Sequence, residues 1–234
     1  MDFHDFFYYT IFSLMLKGAD LRGLAIIGGE GPSPMQLKDI AKGIDIIVAA
    51  DSGLIAAEAA GISPDWIVGD MDSLEDQPGA AEKLLSGYAP SKILRYPREK
   101  DYSDTELAIN LLKEKGCKEI TIAGGGGGRI DHLLAIYYLF GKDRQLLYWY
   151  TKREKIFSLL DGSSINISIK KESLVSVFPL NGESFKAESK GLKWELNSHF
   201  WERQSIGLSN IALTCEVFIH SVRGNFFIVT EINF

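Results

Sequence analysis

Acidic and glycine-rich segments recur after short apolar runs in this chain, and three of them could do chemistry. Gly69-Asp70-Met71-Asp72-Ser73 carries an Asp-x-Asp pair. In an extended or turning loop, residues i and i+2 can point the same way, so both carboxylates can reach one cation. Two solvated loop acids would have the same spacing. Lys100-Asp101-Tyr102-Ser103-Asp104-Thr105-Glu106 sets two more carboxylates around a capping box, Ser103 with Glu106. The box accounts for Ser103 and Glu106 and leaves Asp101 and Asp104 for other work, although Asp104 also gains from the helix dipole in a first turn. Lys100 either meets a phosphate or faces solvent.

The most specific segment is Gly124 to Gly128 followed by Arg129-Ile130-Asp131-His132. Five glycines let the backbone approach a ligand closely and present its N–H groups. The loop leads into a helix whose N-terminus favours anions. It lacks the Gly-Lys-Ser/Thr ending of a P-loop. Arg129 would supply a bidentate phosphate donor. Asp131 could bind metal, ribose or the Arg129 side chain.

These segments need elements to hold them. Short Ile- and Val-rich runs predict strands over Leu24–Ile27, Ile44–Ala49, Trp66–Val68, Ile93–Tyr96, Ile120–Ala123 and Leu146–Tyr150. Helices are expected over Gly53–Ala60, Ala80–Ser86, Asp104–Lys115 and Ile130–Phe140. Near-continuous apolar strands alternating with helices predict an open α/β domain, a parallel sheet covered on both faces with right-handed crossovers. In such sheets ligands bind at the carboxyl ends of the strands. Asp51-Ser52-Gly53, the Asp-x-Asp pair, Asp101 and Asp104, and the glycine run all follow predicted strands, as does Gly28-Gly29-Glu30-Gly31. They should converge on one rim. Aspartates crowded there repel one another unless a divalent cation neutralises them, and hard oxygen donors point to magnesium.

From about Lys152 the pattern changes to alternation without helical period. Strands are expected over Ile156–Leu160, Ile165–Ile169, Leu174–Phe178, Ser184–Glu188, Ala212–His220 and Asn225–Glu231, with turns at Asp161-Gly162, Asn181-Gly182 and Arg223-Gly224-Asn225. This reads as a C-terminal antiparallel β-sandwich or barrel. The expected organisation is an N-terminal extension (1–22), an α/β catalytic domain (23–151) and an all-β domain (152–234).

Composition narrows the function classes. Of 234 residues, 46% are hydrophobic and 24% charged, which excludes a disordered, collagen-like or coiled-coil chain. A net charge of -6 argues against sequence-independent nucleic-acid binding, which runs on clustered Lys and Arg. The two cysteines, Cys117 and Cys215, form no disulfide framework or Cys-rich zinc site, and imply a reducing, cytoplasmic setting. His4, His132, His199 and His220 contain no i, i+4 pair of the zinc-protease type. The apolar run Phe6–Leu16 is about half of the roughly 20 residues a membrane span needs. It has neither the basic start nor the small-residue site of a signal peptide. It reads as an added surface helix or strand, or as residues ahead of a true start at Met15.

The ordered set A-D-S-G (50–53), P-D-x-x-V-G-D-M-D-S (64–73), K-D-Y-S-D-x-E-x-A (100–108) and G-G-G-G-G-R-I-D-H (124–132) resembles the thiamine pyrophosphokinase family. Gly191-Leu192-Lys193-Trp194-Glu195-Leu196 and Ser205-Ile206-Gly207-Leu208-Ser209-Asn210 resemble that family's second-domain segments. Three positions depart from the usual pattern: Ser52 stands for Gly, Ser103 for Thr, and Ile211 where an acid is frequent.

The resemblance implies transfer of a pyrophosphoryl group from ATP to the thiamine hydroxyl, giving thiamine diphosphate and AMP. By similarity, Asp70, Asp72 and Asp104 are the magnesium ligands, with Asp51 and Asp101 as second choices on the nucleotide side. Lys100 and Arg129 would neutralise phosphates. Gly126, Gly127, Gly128 and Asp131 would hold the nucleotide, and Asp72 or Asp70 could accept the alcohol proton. Trp194 would stack on thiamine, and Ser209 and Asn210 would hydrogen-bond its aminopyrimidine. The family joins its two substrates across a homodimer. Two rival readings stand beside this one: a pyrophosphokinase for another alcohol such as a hydroxymethylpterin, and a non-catalytic thiamine or nucleotide sensor.

Overall fold

The structure, a computed structural model, describes residues 20–74, 79–99, 101–180, 184–198, 201 and 206–232. Most of the expected N-terminal extension, Lys100, the Asn181-Gly182 turn, His199 and Ser205 lie outside the described residues. The first half runs β1 (Leu21–Ile26), α1 (Pro34–Ile40), β2 (Ile46–Ala50), α2 (Gly53–Ala59), β3 (Trp66–Gly69), α3 (Ala80–Leu85), β4 (Ile93–Arg95), α4 (Asp104–Glu114), β5 (Cys117–Ala123), α5 (Ile130–Lys142) and β6 (Leu146–Tyr150). The second half is β7 (Glu154–Leu159), β8 (Ser164–Ser168), β9 (Leu174–Pro179), β10 (Lys186–Lys190), β11 (Gly207–Ile211), β12 (Glu216–Arg223) and β13 (Phe226–Glu231).

Ten strands form one sheet in the order β11-β9-β13-β7-β6-β5-β1-β2-β3-β4, and β10-β12-β8 form a second. From β6 to β4 all neighbours are parallel. The chain steps outward from β1 to β4, then returns across the sheet to β5 on the other side of β1. The strand order therefore reverses between β1 and β5, which opens a crevice at their carboxyl ends.

Both sheet faces are covered. Val48, Ala50, Val68, Ile120 and Ile122 pack under α4 and α5. Leu24, Ile26 and Ala123 pack under α1 and α2 on the opposite face. Helix α4 buries Leu107, Ala108, Ile109, Leu111 and Leu112, each leucine or isoleucine contributing about 1.5–3 kcal/mol when removed from water. Ser103 caps it, with Glu106 reaching back to the Ser103 backbone as the sequence predicts.

The antiparallel half forms the expected sandwich. Phe157, Val175, Val177, Phe226 and Ile228 of the large sheet face Ile167, Ala187, Val217 and Ile219 of the small one. The large sheet does not break at the 151/152 boundary, because β6 and β7 pair antiparallel through Tyr148–Phe157, Trp149–Ile156 and Tyr150–Lys155.

Three local expectations are corrected. Helix α1 carries a capping box of Ser33 with Gln36 and a proline in its first turn, a start signal present in the sequence but not used there. The run expected as one strand over Ala212–His220 divides into a single bridge residue, Ala212 opposite Leu192, a bend and β12, because Leu213 and Ala212 bond back to Gly191 and Ser173. The strand expected at Ser184–Glu188 lies at Lys186–Lys190.

Helix α2 begins pressed against β1: a Cβ on Gly53 would lie 2.1 Å from the Ile26 carbonyl oxygen. Gly53→Ala should therefore destabilise the fold by about 1–3 kcal/mol in urea unfolding. Helix propensity alone predicts the opposite sign, a gain of up to ~1 kcal/mol.

Candidate active site

The crevice at the strand-order reversal is built from two loops tied to each other. Gly125 N donates to Gly28 O at 2.7 Å, Glu30 N to Gly126 O at 2.7 Å, and Gly126 N to Glu30 O at 2.9 Å. The glycine run is thus a strap across the β1 loop. Gly124 shows why it needs glycine: its φ is +114° and a Cβ there would sit 2.2 Å from the Ile27 carbonyl oxygen. Beneath the strap lies a cavity of about 920 Å³. Its lining includes Gly126, Gly127, Gly128, Arg129 and Asp131 on one side and Asp51 and Asp104 on the other. The α5 side is apolar, with Ala135, Ile136 and Leu139.

The aspartates gather beside this cavity. One carboxylate oxygen from each of Asp51, Asp70 and Asp72 lies within 4.8 Å of the others. Asp51 follows β2 and the other two follow β3, so parallel neighbours bring them side by side. The backbone is bent to do this. Asp51 and Met71 have φ of +46° and +66°, conformations that cost a non-glycine residue free energy. Gly69, at φ +138°, leaves room for the Asp51 carboxylate, since a Cβ there would be 1.9 Å from Asp51 Oδ1. Met71 N donates to Asp51 Oδ1 at 3.1 Å, and Asp72 N to Asp70 Oδ1 at 3.1 Å.

Asp104, in the first turn of α4, joins the group through a hydrogen bond to Asp51. Burial, then that hydrogen bond and the Asp104 charge, push the Asp51 carboxyl up from its ordinary 3.8 to about 7. Arg98 lies 3.4 Å from Asp72. The crowding fits a hard divalent cation, which oxygen donors of this kind would hold.

Other expected residues are placed as follows. Arg129 makes a two-pronged ion pair with Asp131, Nε to Oδ1 at 3.1 Å and Nη2 to Oδ2 at 2.5 Å, so of the alternatives for Asp131 the structure contains the Arg129 contact. The pair raises the arginine and lowers the aspartate from their ordinary values. Asp101 is exposed and does not line the cavity. Ser52 has φ −61° and ψ −10°, so its backbone does not require the family's usual glycine; its hydroxyl instead occupies the space beside Gly28, 2.4 Å from where a Cβ would be.

Arg98, which meets Asp72, lies ahead of the Lys100–Ala108 segment and carries no signal in the sequence patterns above. Glu30 and His132 line the cavity, as members of two segments expected at the rim, though the sequence gives neither a role.

A second concavity, about 340 Å³, lies on the antiparallel half. It is lined by Trp194, Glu195, Leu196, Trp201, Ile206, Gly207, Leu208 and Asn210. Trp194 is 57% exposed, so its ring is not part of the sandwich core. Asn210 is buried and Ser209 exposed, the latter at φ +59° with its N–H donated to Ser176 Oγ at 3.0 Å. Among the described residues, Ser209 does not line this concavity.

The Asp51 carboxyl sets a pH dependence for ion-free protein. Its folded pKa of about 7 exceeds the unfolded 3.8, so the native state holds the proton longer. Stability from this group is therefore lost as pH rises between those two values. Asp51→Asn keeps the acceptor for Met71 N and removes the charge. In chelator-treated protein it should raise Tm at pH 8 and leave it nearly unchanged at pH 3, below both values. Equal shifts at both pH values would contradict the assignment.

The pattern of the family described as thiamin pyrophosphokinase, catalytic domain, matches residues 37–148, and that of the thiamin pyrophosphokinase vitamin B1 binding domain matches residues 164–225. The thiamine pyrophosphokinase of Bacillus subtilis (strain 168) is 29% identical over 174 residues, covering 70% of this chain and 76% of that protein. Among solved structures, the Bacillus subtilis thiamine pyrophosphokinase superposes with a TM-score of 0.75 at 20% identity, over 91% of this chain and 100% of that one. The Candida albicans thiamin pyrophosphokinase does so with a TM-score of 0.68 at 20% identity, over 91% and 90%. At such identities the superpositions speak for the fold, and the two patterns, in order along most of the sequence, speak for the family: the chain belongs to the thiamine pyrophosphokinases.

Proposed function

We infer that this protein transfers the pyrophosphoryl group of ATP to the hydroxyl of thiamine, yielding thiamine diphosphate and AMP. The observation that carries this reading is the presence on one chain of both the catalytic and the vitamin B1 binding patterns. The second pattern favours thiamine over a pterin alcohol. The close-set Asp51, Asp70 and Asp72 favour catalysis over sensing, since a pure binder gains nothing from carboxylates held this close.

In this reading the triphosphate lies under the glycine strap. The N–H groups of Gly127 and Gly128 and the Arg129 guanidinium face its phosphates, Gly126 ties the strap to Glu30 beside them, Asp131 steadies Arg129, and Lys100 and Asp101 are further candidates by similarity. Magnesium would be held by Asp70 and Asp72 together with Asp51 or Asp104. When bound it would neutralise phosphate charge and offset the repulsion among the carboxylates. The thiamine hydroxyl oxygen forms its bond to the β-phosphorus, the bond from that phosphorus to the bridging oxygen of AMP breaks, and the hydroxyl proton leaves to a carboxylate at the rim, Asp72 or Asp70, or to water. Positioning and charge neutralisation do most of the work in such a transfer.

Trp194 offers its indole face to the thiamine cation, and Ser209 and Asn210 lie beside it. The expected division of labour is residues 23–151 for nucleotide and metal and 152–234 for thiamine. Five strand spacings separate β11 from β5 in the large sheet, roughly 24 Å at ~4.8 Å per strand. Thiamine on the β11 edge is thus remote from a nucleotide at β5 of the same chain. A homodimer in which each β11 edge faces the partner's strap supplies the missing approach. No helix among the described residues is long and apolar enough to cross a membrane. Free Cys117 and Cys215 suit a reducing compartment, and we place the reaction in the cytoplasm.

Purified protein given ATP, magnesium and thiamine should produce thiamine diphosphate and AMP in equal amounts by mass spectrometry; thiamine monophosphate with ADP would refute attack at the β-phosphorus. Asp72→Asn should lower kcat at least ~100-fold, the upper end of what a residue supporting a metal site costs.

The shared site has its own test. Subunits carrying Asp72→Asn and Trp194→Ala, each inactive alone, should recover about a quarter of wild-type activity after subunit exchange, because half the dimers then hold one intact site. Recovery of none would confine both substrates to one chain.

A further inference from the structure

The segment bearing Trp194 is locked from two sides. Inside the turn, the Glu195 carboxylate accepts from Gly191 N at 2.9 Å, from Leu192 N at 3.3 Å and from the Ser189 hydroxyl. Outside it, Lys193 N donates to Ile211 O at 2.9 Å and Leu213 N to Gly191 O at 2.8 Å. The residue that grips Trp194 itself is Asn210. Its Oδ1 accepts from Trp194 N at 3.2 Å and from Ile211 N at 2.9 Å, and its Nδ2 donates to Trp194 O at 2.6 Å. Both ends of the amide are therefore spent on backbone, and the side chain is only 7% exposed.

The indole that this clamp presents is open to solvent, and Lys193 Nζ already stands 4.6 Å from its centroid. The ring thus takes a cation on its face in the folded chain, as a cation–π platform should. A flat aromatic cation binds such a platform most tightly when the ring need not be ordered on binding.

We propose that Asn210 is a positioning residue, which pins the Trp194 backbone so that the indole stands ready for the substrate's cationic ring, and that it does not itself read the aminopyrimidine. This rests on the thiamine assignment above and reassigns Asn210 within it. Glu195 and the Lys193–Ile211 bond still hold the turn when Asn210 is changed, so the variant should fold.

The test is calorimetric binding of thiamine, and of an analogue whose pyrimidine amino group is replaced by oxygen, to the full-length protein. Asn210→Ala should weaken both ligands by the same factor, about tenfold, the equivalent of one or two lost hydrogen bonds. Asn210→Asp keeps the acceptor but sets a carboxylate against Trp194 O, and should also weaken both equally. The KM for ATP should not move. Trp194→Ala should weaken binding as well, and adding Asn210→Ala to it should cost little more, because the clamp then has no platform to hold.

Loss for thiamine alone, with the analogue unaffected, would mean that Asn210 reads the amino group, and the proposal falls. Additive losses in the double variant, or a parallel rise in the KM for ATP, would reduce Asn210 to a general structural role and also overturn it. Wild-type protein that binds neither ligand would remove the thiamine assignment, and this proposal with it; a wild type that binds both but shows the wrong variant pattern removes only the proposal.

Discussion

Like charges in close quarters are the constraint around which this protein is organised. Asp51, Asp70 and Asp72 hold oxygens within 4.8 Å of one another, and Asp104 hydrogen-bonds to the first of them. In this partly buried setting the charges of Asp104 and Asp70 add to the cost of ionising Asp51. The arrangement persists because buried elements fix the backbones that carry it. Strands β2 and β3 are parallel neighbours whose inner residues, Ala49, Val48, Ile67 and Val68, have no exposed surface. Helix α4 is anchored by its apolar face and its capping box, which leaves Asp104 no freedom to withdraw. The left-handed backbone at Asp51 and Met71 is the local expression of the same strain.

The glycine strap meets a related constraint over the cavity. A loop of five glycines is entropically expensive to order. Here its backbone groups are satisfied by the β1 loop through paired hydrogen bonds, and side chains at Gly124 or Gly126 would collide with that loop's carbonyls. The chain thus obtains a rigid, side-chain-free surface over the cavity. Arg129, at the end of the strap, is held by Asp131 along one edge of its guanidinium, which leaves the remaining donors for an anion.

Continuity of the large sheet carries the consequence for assembly. Pairing of β6 with β7 fuses the two halves into one ten-stranded surface, with the strap near its middle and the Trp194 concavity at the β11 edge. A fused sheet cannot fold one half onto the other. Under the function proposed above, bringing the two concavities together would fall to a second copy rather than to a hinge.

Much of this was legible in the residues. Strand and helix positions in the first half follow from apolar runs and capping signals, and the carboxyl-end rule collects Asp51, the Asp-x-Asp pair, Asp104 and the glycine run from chain order alone. Sequence also separated the parallel half from the antiparallel one, by the change from continuous to alternating apolar pattern near Lys152. It did not determine which carboxylates touch, because contact depends on strand neighbours and on the Gly69 gap that admits Asp51. Nor did it tell that Asn210 faces the Trp194 backbone: hydrogen-bonding capacity is written in the residue type, but its direction is set by where β11 places it. Spacing along the chain settles which groups a rim can hold; only the packing of β2 against β3, and of the Trp194 turn against β11, decides which partners those groups meet, because such contacts join residues far apart in sequence.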